Sequence, residues 1–146
     1  MKTLSKLRAR IRGVAVLELA VLLIPLVIMT VGMTELGRAF YYYNGLVKST
    51  RDATRYLSMY AAHEGEAQAR CLAVYGQATC GDTPLVPGLE AGMVHFTYRA
   101  GVETGKGSID LVTVSLEGVP FTSYVPDFIE SMVFGDISCT MRQGGS

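Results

Sequence analysis

Three thiols, two imidazoles and one carboxylate in an apolar run are the side chains with chemistry to offer in this 146-residue chain: Cys71, Cys80, Cys139, His63, His95 and Glu18. Three thiols plus a His would make a zinc set. Closed zinc sites usually draw two ligands from a tight C-x2-4-C step, and here the nearest pair is nine residues apart. A Cys–His nucleophile is no better marked, since no local signature ties either His to a thiol. The run Gly101-Val102-Glu103-Thr104-Gly105-Lys106-Gly107 lacks the spacing of a phosphate-cradling P-loop. No catalytic residue, metal or cofactor is expected. A disulfide is the default for thiols facing an oxidising compartment. Cys71 and Cys80 flank Gly76 and suit a short loop closed by one bridge. Cys139 paired with either of them, buried, or linking subunits is the alternative.

Glu18 leads to the element that must carry it. Val14 to Gly37 reads VAVLELAVLLIPLVIMTVGMTELG, with Glu18 and Glu35 its only charges. As a helix it would be ~36 Å long, enough for a hydrocarbon core of ~30 Å with some tilt. A buried soluble helix rarely runs so long without a polar face. A secretory signal peptide fits poorly, because no A-x-A-like cleavage site follows. A carboxylate in such a helix costs several kcal/mol unless paired, neutralised or interfacial. Pro25, in mid-span, removes one helical hydrogen bond and predicts a kink or local melting.

The charges are divided unevenly. The chain carries 13 Lys+Arg and 13 Asp+Glu, yet Lys2, Lys6, Arg8, Arg10 and Arg12 precede Gly13 with no acid among them. The neutral total is therefore a basic leader added to an acidic body. Such a leader abutting an apolar span is explained by topology rather than by nucleic acid: the bases stay cytoplasmic and the chain beyond about residue 44 lies outside. Arg38 and the run Tyr41, Tyr42, Tyr43 then arrive at the membrane interface, where rings with one wet end are favoured. The same Tyr run would also serve as packing material in a soluble helix.

Arg12-Gly13-Val14-Ala15-Val16-Leu17-Glu18 resembles the class III signal of type IV pilin-like proteins, cleaved after the Gly by a membrane-embedded prepilin peptidase. The resemblance implies a scissile Gly13–Val14 bond and a Glu18 that becomes the fifth residue of the mature chain. There it would pair with the Val14 amine of a neighbouring subunit. Glu35-Leu36-Gly37-Arg38-Ala39-Phe40-Tyr41, followed by Arg51-Asp52-Ala53-Thr54-Arg55-Tyr56, narrows the likeness to the TadE-like minor pseudopilins of the tight adherence (Tad/Flp) pilus system. The family usually places an aromatic after the signal Glu, where this chain has Leu19. By resemblance the partners are a prepilin peptidase, the major Flp-type pilin, other minor pseudopilins and the inner-membrane assembly platform. The protein would be a structural or priming subunit and not an enzyme. It would cross the bacterial inner membrane once, amino end inside and carboxyl domain periplasmic, with entry into the extracellular pilus left open. A pseudopilus subunit of type II secretion and a plain membrane-anchored binding domain are the alternatives.

The rest of the chain is expected to build a small domain. Helical spacing of Phe40, Leu46, Val47, Ala53 and Leu57 continues to about Ala62, with Gly45 as a weak point. Arg51 and Arg55 share a solvated face. A second helix is expected near Gly65–Tyr75, and Gly76–Gly92 reads as loop. Met93–Arg99, Ile109–Glu117 and Asp136–Arg142 alternate as strands, with a glycine turn between the first two. Pro120 and Pro126 precede an expected short helix, Asp127–Phe134. The fold class is thus α+β: a long amino-terminal transmembrane helix running into an extracytoplasmic domain whose short antiparallel sheet packs on helix. The segments are a leader at 1–13, a span at 14–37, a helix continuation at 38–62 and the small domain at 63–146.

Overall fold

A computed structural model describes residues 2–126 and 132–144, with side chains from Val14 onward. The chain divides into two units, Met1–Arg38 and Ala39–Ser146.

Helix α1 (Lys2–Leu57) supplies the described residues of the first unit and the start of the second. It runs through Pro25 without interruption, so the expected local melting does not occur. From Val14 to Met29 its large apolar side chains are exposed on every side, from Val27 at 47% to Leu17 and Met29 at 68%. The threonines in this stretch turn their hydroxyls inward: Thr30 donates to the Val27 carbonyl at 2.8 Å and Thr34 to the Thr30 carbonyl at 2.9 Å. Such back-bonding keeps a polar group satisfied without water, as an apolar surrounding requires. This helix is long and apolar enough to cross a membrane by length and composition.

In the second unit α1 presents a narrow stripe. Leu46, Ser49, Thr50, Ala53, Thr54 and Leu57 are all buried, spaced by three and four residues as one helical face requires. The hydroxyls on that stripe cost little, because Ser49 and Thr50 donate to the Leu46 carbonyl and Thr54 to the Thr50 carbonyl. The helix ends at Leu57, five residues short of the expected Ala62. The carbonyls of the turn that follows find donors far along the chain: Gly144 N–H bonds Ser58 O at 2.8 Å and Gln143 Nε2 bonds Tyr60 O at 2.8 Å. His63 then takes a left-handed φ of 68°, which no continuing helix tolerates.

Helix α2 (Glu66–Tyr75) follows and stops at Gly76, whose φ of 73° and N–H bond to Leu72 O make an αL cap. A 3-10 turn (Ala91–Met93) leads into strand β1 (Val94–Glu103). β2 (Ser108–Leu116) pairs antiparallel with β1 on one side and with β5 (Ile137–Arg142) on the other. β1 continues past the expected Arg99 through a bulge at Ala100–Gly101. Gly101 adopts φ +66° there, and its N–H bonds the Asp110 carboxylate at 2.8 Å.

The central strand carries the core: Val112, Val114 and Leu116 alternate inward onto the α1 stripe, joined by Ala69, Ala73 and Val74 of α2 and by Val86 and Leu89 of the loop. The architecture is α+β, a small antiparallel sheet packed on the helix. β3 (Pro120–Phe121) and β4 (Met132–Val133) form a separate two-stranded hairpin. Of the short helix expected at Asp127–Phe134, residues 127–131 lie outside the described ones. Met132 and Val133 are strand instead, because Phe121 and Pro120 offer them a ladder.

Candidate functional site

Helix α1 holds the residues that the sequence singles out for assembly. Val14 and Glu18 stand four apart on one helical face. Val14 is 54% exposed, and Leu17, Leu19, Val21 and Leu22 around Glu18 are exposed by 62–68%. No described residue pairs with Glu18. A lone carboxylate in an apolar coat is a group that binding to a cation would stabilise. Gly13 lies on the same helix by backbone, outside the residues whose side-chain surroundings are described.

About five turns further on, Arg38 Nη2 donates to Glu35 Oε2 at 2.7 Å. Both side chains are largely buried, at 16% and 6% exposure. A carboxylate held this dry is tolerable only with a cation against it. Sequence reading treats Arg38 as an interfacial anchor and Glu35 as part of a motif. The i,i+3 spacing of opposite charges was the signal that joins them.

The tyrosine run splits by geometry. Successive residues on a helix point about 100° apart, so three consecutive rings cannot share one environment. Tyr42 is half-buried with its ring 6.3 Å from Phe121, edge to face. Tyr43 lies 6.3 Å from Phe134. Tyr41 is 76% exposed. Packing and exposure, alternatives for the run as a whole, are thus divided among its members. Beside it, Tyr41, Tyr42, Asn44, Gly45, Lys48 and Leu85 line an open groove of ≈ 360 Å³.

Cys71 and Cys80 are joined by a disulfide that ties α2 to the loop after it. Cys139 is a free, half-buried thiol on β5, opposite Val114. The two imidazoles lie on acids rather than on thiols. His63 Nδ1 is 3.1 Å from Glu66 Oε1, and His95 Nε2 is 4.0 Å from Glu117 Oε2. Tyr98 donates to the same Glu66 oxygen at 3.0 Å and stacks near His63, with centroids 4.4 Å apart. Burial, then the bond to the Glu66 carboxylate, pushes the Tyr98 phenol up to about 12. Among the described residues no three His, Cys, Asp or Glu side chains come together as metal ligands.

Arg70 is a structural residue that sequence reading misses. Its guanidinium bonds the Val94 carbonyl at 2.8 Å and the Ala91 carbonyl, and it lies 4.9 Å over the Phe96 ring. It fastens α2 to the start of β1 across a loop whose length hid the pairing. Arg51 and Arg55 are exposed, as a solvated face requires.

No curated protein and no solved structure matches the chain. The family model of the TadE-like proteins does match, over residues 13–55. The helix that carries Gly13, Val14, Glu18, the Glu35–Arg38 pair and the tyrosine run is therefore similar in sequence to the TadE-like proteins.

Proposed function

We propose that this protein is a minor pseudopilin, processed by a prepilin peptidase after Gly13, that serves as a structural or priming subunit in assembly of an adhesive Tad/Flp pilus. The observation that carries this reading is the family match over residues 13–55, which spans both the signal residues and the apolar helix. The coat of exposed apolar side chains from Val14 onward supports it, since such a helix needs lipid or other helices around it.

Each residue has a part in that reading. Gly13 lets the backbone enter a narrow peptidase site, and the leader's bases hold it at the cytoplasmic face. Cleavage leaves an amine on Val14. Glu18 pairs with the corresponding amine of a neighbouring subunit, and in low dielectric that pair fixes axial register. The apolar helix holds the chain in the bacterial inner membrane, amino end cytoplasmic and second unit periplasmic, until assembly draws it toward the major Flp-type pilin and other minor subunits on the membrane platform. The protein is a peptidase substrate and carries no catalysis of its own.

Mass spectrometry of the membrane-extracted protein tests the reading. Cells with active prepilin peptidase should yield a chain starting at Val14. An intact Met1–Gly13 segment under those conditions sinks it, and co-purification with type II secretion components in place of Tad components would reassign the machine.

A further inference from the structure

Alternation along a strand gives the three-stranded sheet two unlike faces. Val112, Val114 and Leu116 of β2 belong to the core face. The opposite face carries Leu111, Thr113 and Ser115, and the register sets their neighbours on both sides. Leu111 stands between Arg99 of β1 and Arg142 of β5, and Thr113 stands between Thr97 and Thr140. The hydroxyls of Thr113 and Thr140 meet at 2.8 Å on the exposed side. Both arginines, Thr97 and Thr140 are exposed, while Leu111 is half-buried. A row of two cations thus lies beside a row of three hydroxyls, ~6.8 Å away along the strands.

Neither guanidinium has a hydrogen bond or an ion pair among the described residues. The second unit is not short of acids, which outnumber bases between Ala39 and Ser146. The acids nearest the arginines turn away. Asp110 alternates with Leu111 to the core side and accepts from Gly101 N–H at 2.8 Å, and Glu103 pairs with Ser108 at the same parity as Asp110. Glu117 shares the outer face but lies six residues beyond Leu111, a distance of ~20 Å, where it meets Ser115 and His95. Arg99 and Arg142 are two inter-strand spacings apart, ~9.6 Å between Cα atoms. Like charges on one row of a sheet repel, and an anion seated over Leu111 turns that repulsion into attraction.

The chemistry of the two rows selects the occupant. Guanidinium forks match the two oxygens of a carboxylate. Threonine hydroxyls both donate and accept, as sugar hydroxyls do, and Leu111 offers an apolar seat for the C–H side of a ring. A bilayer calls for outward apolar or aromatic side chains, whereas Phe96 and Tyr98 of β1 pack half-buried on the core face. Nucleic acid is densely anionic and stacks its bases on aromatic rings, and this acidic unit offers it two cations and no ring. We propose that the outer face of the sheet binds an acidic polysaccharide of the uronate type, with sugar carboxylates on Arg99 and Arg142 and ring hydroxyls on Thr97, Thr113 and Thr140. The site draws on the second unit alone, so it does not rest on the processing or pilus reading.

The test measures binding of the full chain, in a non-ionic and sugar-free detergent, to immobilised polygalacturonate. The fully methyl-esterified polymer serves as its uncharged twin and duplex DNA as a rival polyanion. Polygalacturonate should bind, and the ester should bind about tenfold more weakly or not at all. Arg99→Gln and Arg142→Gln should each lose about tenfold at an unchanged melting temperature. Thr97→Val and Thr140→Val should lose less. Lys106→Gln, in the β1–β2 turn, and Arg51→Gln, on α1, remove exposed cations away from this face and should bind as the unaltered chain does. No binding of polygalacturonate, or equal binding of acid and ester, overturns the proposal. An equal loss in Lys106→Gln or Arg51→Gln also overturns it, because net charge alone would then be at work. DNA held as tightly through the same two arginines assigns the face to phosphate polymers and overturns the saccharide.

Discussion

The two units solve the hydrophobic problem in opposite ways. Between Val14 and Met29 every large apolar side chain is exposed, whereas in the second unit Leu46, Leu57, Val112, Val114 and Leu116 are buried to 1% exposure or less. One unit leaves its apolar surface to be covered from outside. The other covers its own with a three-stranded sheet and a short helix. Mutations in the first should therefore be read out in association, and those in the second in stability.

Glu18→Ala breaks the comparison most severely if it is wrong. Pilus assembly should be lost outright while the thermal unfolding of the full chain is unchanged; a lowered melting temperature with normal pili would reverse the roles of the two regions. Leu57→Ala in the buried stripe should cost about 2–5 kcal/mol in denaturant unfolding, the range for emptying a packed leucine site. Replacing Cys71 and Cys80 by Ser should cost about 2.5–3 kcal/mol by the loop-entropy argument, seen as a lower denaturant midpoint. Gly45→Ala should go the other way. A Cβ there meets nothing within 4 Å, and helix propensity alone predicts a gain of up to ~1 kcal/mol.

The smallest effect is a titration. Because the Tyr98 pKa is raised in the folded chain to about 12 from a model value of 10.0, its contribution to stability is complete below pH 10 and fades as pH rises toward 12. Phenolate absorbance should follow that window. Glu66→Gln should draw the midpoint down only in part, since burial is the larger cause.

Regular elements were legible because their signals are local. Val112, Val114 and Leu116 announce a strand by alternation, and the glycines at 105 and 107 announce the turn that precedes it, where Thr104 N–H closes on Gly107 O at 3.0 Å. The extension of β1 past Arg99 was hidden because Ala100–Gly101 reads as a break. Only Asp110, from the neighbouring strand, makes it a bulge. Met132–Val133 reads equally well as helix or strand, and a partner at Pro120–Phe121 decides. For the candidate site, spacing alone marks Gly13, Val14 and Glu18, since no described side chain pairs with Glu18. The Glu35–Arg38 pair was visible in spacing but not in burial, which no local pattern encodes.

The closure of the α1 end has a consequence in time. The carbonyl of Tyr60 is met by Gln143, 83 residues later, and Thr54 Oγ1 reaches the Cys139 carbonyl at 3.4 Å across 85 residues. A chain is made and threaded from its amino end. The helix is thus complete long before its last partners emerge, and β2 waits with one open edge for β5. The second unit closes as a single late event, and until that moment an unpaired strand stands exposed to any neighbour with an edge of its own.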